Sequence, residues 1–274
     1  MNQESIRKDY TKQPGVPGFF SMEFRPKQND YVVLIPIINK GQRILTELRR
    51  MQEAGIQQMA DIVLLDGGST DGSTEEKTLK ELGVNTVLVI QDEGRQGAGF
   101  RMGFYWSFLR DYEGILTVDG NNKDSVEDIP KFIEKLKEGY DFIQGSRFHP
   151  DGKEIRTPLF RKISVRYIHA PIISAIAGVR FTDTTNAFRA HSKKYLTDPR
   201  VQPLRDIFMG YELLDYLSVR ASRIGLRSTE IGVTRTYPEN GEVPTKIRIG
   251  SDHVKLLMDL VRTATGYYNP KENQ

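Results

Sequence analysis

The chain of 274 residues contains no cysteine. That excludes disulfides, thiolate nucleophiles and zinc–thiolate sites, and it fits a reducing compartment. Histidine is scarce: there are four, with no His-x-x-x-His pair, so a histidine-bound zinc is not expected. Excess charge is also small. Thirty-nine basic residues against 36 acidic ones leave a net +3, too little to imply a nucleic-acid partner by itself. No stretch approaches the ~18 apolar residues that span a bilayer. The N-terminal residues carry Glu4, Arg7, Lys8 and Asp9 without an apolar centre, so no secretory signal is expected there. The expected location is the cytoplasm, with any membrane contact peripheral, on the inner face.

What is present is a core and a rhythm. Hydrophobic residues make up 38% of the chain, enough for a sizeable interior. Short apolar runs at Tyr31–Ile38, Asp61–Leu65, Thr86–Ile90, Ile115–Val118 and Asp141–Gln144 read as strands. Ile44, Leu45, Leu48 and Met51 recur at helical spacing between the first two. Ser73-Thr74-Glu75-Glu76 has the form of a capping box and opens the next helix. Phe100–Leu109 and Phe132–Leu136 read as further helical segments. This alternation predicts an α/β fold: a doubly wound, mostly parallel sheet with helices on both faces, in a single domain. Residues 1–30, with Pro14, Pro17 and Pro26, read as an N-terminal arm pinned by Phe19-Phe20. Residues 31–274 are the domain, 31–148 a nucleotide-type half and 149–274 an acceptor-type half. In the second half Tyr211–Arg220 and Asp252–Thr263 read as helices and Leu226–Thr236 as a strand.

Two of the strands end in an acid. Val63-Leu64-Leu65-Asp66 runs into Gly67-Gly68-Ser69-Thr70-Asp71-Gly72-Ser73, and Ile115-Leu116-Thr117-Val118-Asp119 into Gly120-Asn121. Open α/β sheets bind ligands at this carboxyl edge. Asp66 and Asp119 therefore read as ligand-facing, one for a nucleoside and one for a metal or phosphate, with a turn cap as the plainer reading of each. Asp71 and Ser73 read as caps. Gly97-Ala98-Gly99-Phe100-Arg101-Met102-Gly103 approximates a dinucleotide fingerprint, but six residues separate it from the strand, so it reads as a glycine-rich helix start, with Arg95 available for a phosphate. Arg147, after Gly145-Ser146, reads as balancing diphosphate or acceptor charge. Arg156, Arg161, Lys162 and Arg166 lie among Leu159, Phe160, Ile163, Tyr167 and Ile168, which fits a basic amphipathic helix at a membrane or a helix packed on the sheet. Glu212 and Asp215 share one helix face, and Glu212 is a candidate general base.

Taken in order, Ile35-Pro36-Ile37-Ile38-Asn39, Leu65–Ser73, Val118-Asp119-Gly120-Asn121, Gln144-Gly145-Ser146-Arg147-Phe148 and Asp183-Thr184-Thr185-Asn186-Ala187-Phe188-Arg189 resemble family 2 glycosyltransferases of GT-A fold. Within that family the pattern is most similar to dolichol-phosphate mannosyltransferase-like, polyprenyl-phosphate sugar transferases. The resemblance covers about Val32 to Ser251. It implies that Pro36, Asn39 and Asp66 line the nucleoside pocket and that Asp119 holds a divalent ion, Mg2+ or Mn2+, on the donor diphosphate. Asn121 would join Asp119, and Gln144 would be a further ligand near the metal. Asp183 would lie beside the transferred sugar or acceptor. Arg235 and Arg248 would belong to the acceptor side, where Arg248-Ile249-Gly250-Ser251 loosely resembles an acceptor segment. The chain departs from the pattern at Lys40, where Glu is usual, at Asn121, where the second acid of Asp-x-Asp is usual, and at Asp252, where Lys is usual. An Asn carbonyl ligates a hard cation without adding charge, so metal binding should lean on the diphosphate.

The function implied is inverting transfer of a sugar from a UDP- or GDP-linked donor to an acceptor, a polyprenyl phosphate or a glycan or lipid precursor of the cell envelope. A phosphate acceptor needs no base, since its second pKa is about 6. A hydroxyl acceptor would require Asp183 or Glu212. Two other readings stay open: a non-catalytic nucleotide-sugar binder, motivated by Lys40 and Asn121, and a nucleotidyltransferase, for which Lys40-Gly41-Gln42-Arg43 is a poor triphosphate loop.

Overall fold

Val32–Ile35 and Ile62–Leu65 are buried at every position. Strands with no exposed side occur where helices cover both faces of a parallel sheet. The computed structural model has this form; it describes residues 5–92, 94, 96–239 and 251–271, with side chains from 258 onward in the last group. The first half runs β1 (Ile6–Tyr10), β2 (Phe19–Glu23), β3 (Tyr31–Ile37), α1 (Gln42–Glu53), β4 (Asp61–Asp66), α2 (Glu76–Glu81), β5 (Thr86–Ile90), α3 (Gln96–Leu109), β6 (Gly114–Thr117), α4 (Ile129–Lys137) and β7 (Phe142–Ser146). The second runs β8 (Lys153–Ile155), α5 (Leu159–Ser164), a π turn (Val165–His169), α6 (Ala170–Ala177), β9 (Arg189–Ser192), α7 (Lys193–Leu196), α8 (Glu212–Arg223), β10 (Ser228–Gly232), β11 (Thr234–Thr236) and α9 (Ser251–Ala264).

Nine strands form one sheet in the order β1-β2-β5-β4-β3-β6-β9-β7-β10, and β8 pairs with β11 apart from it. From β3 the chain winds outward through β4 to β5, then α3 carries it back to β6 on the other side of β3. The direction of winding reverses between β3 and β6, which is where such sheets open a crevice. Asn39 follows β3 and Asp119 follows β6, so both lie at that reversal. Ile44, Leu48, Leu79, Phe132 and Ile133 pack one face of the sheet, and Phe100, Phe104, Ile173, Leu213 and Leu217 the other.

The structure differs from the sequence reading in four places. The arm is not draped over the domain: residues 6–10 and 19–23 form a hairpin whose second strand pairs antiparallel with β5. Ser73 does not cap α2. Its hydroxyl donates to Asp71 at 2.6 Å, and Glu75 caps instead, accepting the Lys77 and Thr78 N–H groups at 3.1 and 2.7 Å. Leu226–Thr236 is two strands, because Gly232 passes so close to Asp151 that a Cβ would sit 2.5 Å from its backbone, and the chain then leaves β7 for β8. Last, β9 is an antiparallel strand inserted between β6 and β7.

Candidate active site

The loop after β4 is knitted to the loop after β3. Asp66, 4% exposed, accepts the Ser69 N–H at 2.9 and 3.1 Å and its hydroxyl at 2.6 Å. Ser69 in turn accepts the Asn39 N–H at 3.0 Å, and Asn39 accepts the Thr70 N–H at 2.8 Å. Asn39 holds a positive φ of 48°, a conformation its short polar side chain tolerates. Asp71 caps the same junction by accepting the Gly41 N–H at 2.8 Å. Pro36 stands in β3 opposite Leu65 of β4, so Pro36, Asn39 and Asp66 share one corner of the carboxyl edge.

The loop after β6 forms the second corner, and β11 fixes it. The Thr236 N–H donates to the Lys123 carbonyl at 2.8 Å and the Ser125 N–H to the Thr234 carbonyl at 2.9 Å. From below, α1 supports the loop: Glu47 accepts the Asn122 N–H, and Arg50 donates to the Asn122 side chain at 2.8 Å. This stitching brings Arg235 between two acids. Its Nη1 donates to both oxygens of Asp124 at 2.7 Å and to Asn186 Oδ1 at 2.7 Å, and its Nη2 reaches Asp119 at 3.3 Å. Burial would lower the Arg235 pKa, but Asp124 and Asp119 overcome it and hold the guanidinium charged.

Asp119 is a quarter exposed. It also accepts from the Asn121 amide at 3.3 Å and from Gln96, the first residue of α3, at 3.5 Å. Burial alone would raise its pKa, but Arg235, Lys123 and Lys40 keep it below the usual range. The Asn121 carbonyl oxygen is buried and unpaired. Lys123 is 5% exposed, stands 5.0 Å from the Tyr237 ring, and has its pKa pushed down to about 7, by burial first and then by Arg235.

A third group adjoins these. Arg147, at the end of β7, grips Asp183 through Nε at 2.6 Å and Nη2 at 3.2 Å, and its Nη1 donates to the Tyr237 hydroxyl at 3.2 Å. Thr185 adds its N–H and hydroxyl to Asp183 at 3.3 and 3.2 Å. Burial would raise the Asp183 pKa, but Arg147 reverses that and holds it ionised. Tyr237 thus bridges Lys123 to the Arg147–Asp183 pair.

The remaining candidates fall elsewhere. The Gln144 amide donates to the Gly145 and Asn186 carbonyls at 2.9 and 3.2 Å, and no hydrogen bond joins it to Asp119 or Asn121 among the described residues. Glu212, 4% exposed, accepts the N–H groups of Met209 and Gly210, which makes it the clasp of the loop before α8. That loop packs on the start of α3, where a Cβ on Gly97 would lie 2.7 Å from the Gly210 nitrogen. Arg235, expected on the acceptor side, sits instead at the Asp119 corner. Arg95 and Arg248 lie outside the described residues. Sequence reasoning missed Lys123, Asp124, Asn186 and Tyr237. No local signal marks them: Asp124 stands in a charged stretch with Asp119, Lys123, Glu127 and Asp128, and its ion partner Arg235 is 111 residues away.

A scan against protein-family models finds no match. Among curated proteins, an undecaprenyl-phosphate mannosyltransferase of Micrococcus luteus is 24% identical over 213 residues, covering 77% of this chain and 85% of that protein. A polyprenol monophosphomannose synthase of Mycolicibacterium smegmatis is 25% identical over 220 residues, covering 79% and 81%. Among solved structures, glucosyl-3-phosphoglycerate synthase from Mycobacterium tuberculosis, in complex with Mn2+, UDP and glucosyl-3-phosphoglycerate, superposes with a TM-score of 0.60 at 14% identity, covering 88% of this chain and 81% of that one. The fold is GT-A. The resemblance read from the sequence stands, and with it glycosyltransferase as the class of enzyme.

Proposed function

We propose that the chain transfers a sugar, with inversion, from a nucleoside-diphosphate donor to a polyprenyl-phosphate lipid at a membrane surface. The observation that carries this reading is the pair of acid corners at the winding reversal, Asp66 with Asn39 on one side and Asp119 with Arg235 and Lys123 on the other. The first suits a nucleoside. The second suits a diphosphate, because the leaving group gains negative charge as the glycosidic bond breaks and fixed cations stabilise it without reorganising. The N-terminus of α3, whose first residue reaches Asp119, adds the positive end of a 14-residue helix.

The acceptor side favours a phosphate. Asp183 is held ionised in the Arg147 fork, which makes it a poor proton acceptor, and Glu212 spends one of its oxygens clasping the loop before α8. An acceptor that needs no base fits these two constraints, and a phosphate monoester is largely ionised near neutral pH. The helix α5 and the π turn after it offer the route. Leu159, Phe160 and Tyr167 are each more than two-thirds exposed, next to Arg161, Lys162 and Arg166. Arg161 acts electrostatically on both Lys123 and Tyr237, so this basic, apolar surface adjoins the site. No helix among the described residues is long and apolar enough to cross a membrane.

Incubation with UDP- and GDP-sugars and a short-chain polyprenyl phosphate tests the proposal. The expected products are the nucleoside diphosphate and a sugar-phosphate lipid. Binding without release would make the chain a nucleotide-sugar binder, and pyrophosphate release from a nucleoside triphosphate would make it a nucleotidyltransferase.

A further inference from the structure

GT-A neighbours carry Mn2+ with UDP, and the residues of this corner fit such an ion poorly. Mg2+ and Mn2+ favour anionic oxygen ligands. Here the one solvent-reachable carboxylate, Asp119, is already shared by the Arg235 guanidinium, the Asn121 amide and Gln96. Asp124 gives both oxygens to Arg235, and Asp183 gives both to Arg147. Among the described residues no three His, Cys, Asp or Glu side chains gather to hold a metal. Asn121 offers one unpaired carbonyl oxygen, which is neutral and accepts from an ammonium as readily as it ligates an ion.

The same corner is rich in protein cations. Arg235, Lys123 and Lys40 act on Asp119, and Arg161 acts on Lys123, against the two carboxylates Asp119 and Asp124. Lys123 is the unusual member. It is 5% exposed, and no carboxylate lies within hydrogen-bond distance of its ammonium among the described residues. Asp119 and Asp124 act on it only from beyond hydrogen-bond contact, and a buried ammonium with no anion in contact is costly, a cost relieved when one arrives.

We propose that Lys123, seated with Arg235 beside Asp119 and Asn121, is the cation that holds the donor's diphosphate, a task a divalent ion would otherwise perform. Lysine suits the task as a compact point charge with three donors, and Arg235 supplies a second, fixed one. Asp119 then positions the two cations rather than ligating a metal. The inference rests on the nucleotide-sugar reading above and names the group that handles its phosphates.

The test is calorimetric titration of UDP and of GDP into the full chain, in EDTA and in Mg2+ or Mn2+. Wild-type protein should bind one of the two with affinities that agree within about threefold across these conditions. Lys123→Gln, which replaces the charge by a neutral carbonyl and amide, should weaken binding in EDTA by about tenfold or more and regain part of it with the metal. Lys123→Arg keeps the charge and should keep binding that resists the chelator, at reduced affinity. Thermal melts of both variants check that they fold. The inference falls if EDTA abolishes wild-type binding, or if a folded Lys123→Gln variant binds in EDTA as wild type does. If neither nucleotide binds under any condition, the donor reading fails first and the inference with it.

Discussion

Arg147 and Asp183 are buried to within a few per cent and hold each other through two hydrogen bonds. Taking one partner from such a pair strands a charge in the interior, which costs about 3–5 kcal/mol, whereas replacing both by apolar groups is often neutral. Arg147→Met should therefore lower the urea-unfolding free energy by about 3 kcal/mol or more, and adding Asp183→Leu should restore most of it while sugar transfer stays lost. A loss under about 1 kcal/mol for the single variant would contradict the pairing. His191 sets an acid limit. It is fully buried, and burial, then Arg189, push its pKa down to about 3. The unfolded chain takes up a proton near pH 6.5 and the folded chain only near 3, so stability falls as pH drops through that window, by about 1.4 kcal/mol per unit. His191→Phe should remove this slope: between pH 6.5 and 4.5 wild type should lose about 2 kcal/mol more than the variant, and equal losses would refute it. At this scale Asp66 and Asp119 were legible because an acid that ends an apolar run reaches the sheet edge by local geometry alone. Lys123 and Asp124, four and five residues on, were not, because what makes them part of a site is a strand more than a hundred residues later.

The helix α5 shows what an element reveals by itself and what it leaves open. Its basic and apolar mixture fits a membrane surface or a core-packed helix equally. The structure decides the packing: none of its residues is buried. If the face meets lipid, each basic residue near an anionic surface contributes about 1 kcal/mol, screened by salt. Wild-type protein should co-sediment with anionic liposomes at low salt and less at high salt. The triple change Arg161→Ala, Lys162→Ala and Arg166→Ala should leave it in the supernatant, and so should neutral liposomes. Wild-type protein that ignores anionic liposomes and polyprenyl phosphate alike would favour a soluble acceptor. Other elements were legible in proportion to length and regularity. The strands β3, β4, β5, β6 and β7 announced themselves as apolar runs. Four-residue β9, Arg-Ala-His-Ser, has neither an apolar run nor an alternation, and its place comes from pairing β6 and β7 at once. The α2 cap slipped by two residues because Asp71 claimed the Ser73 hydroxyl.

At the scale of the whole molecule, the two halves do not separate into lobes. β9 and β10 come from the second half yet sit among and beside β6 and β7 of the first, and Arg235 of the second closes the Asp119 corner of the first. The N-terminal residues are tied in the same way. Val16, Phe19 and Phe24 are buried, Phe19 stacks on Tyr10 at 4.4 Å, and β2 covers the edge of β5. Arg101, on α3, donates to the Gly15 carbonyl at 2.8 Å from a buried position. Pro14, Pro17 and Pro26 made this segment read as an arm pinned by Phe19-Phe20, whereas Val16, Phe19 and Phe24 belong to the core. Burying three such side chains contributes on the order of 5 kcal/mol, as much as the whole net stability of many domains. Removal of residues 1–24 should therefore do more than trim a tail. It should take the Gly15 carbonyl from Arg101, which keeps its ion pair with Asp206, uncover the core beside Tyr105 and open β5 as an unpaired edge, the kind of edge that recruits other chains. The shortened protein should aggregate, or show a urea midpoint below half that of the full chain, measured by circular dichroism and size-exclusion chromatography. A truncated chain that stays monomeric with an unchanged midpoint would mean that the domain begins at about residue 31 and that the hairpin is an accessory to it.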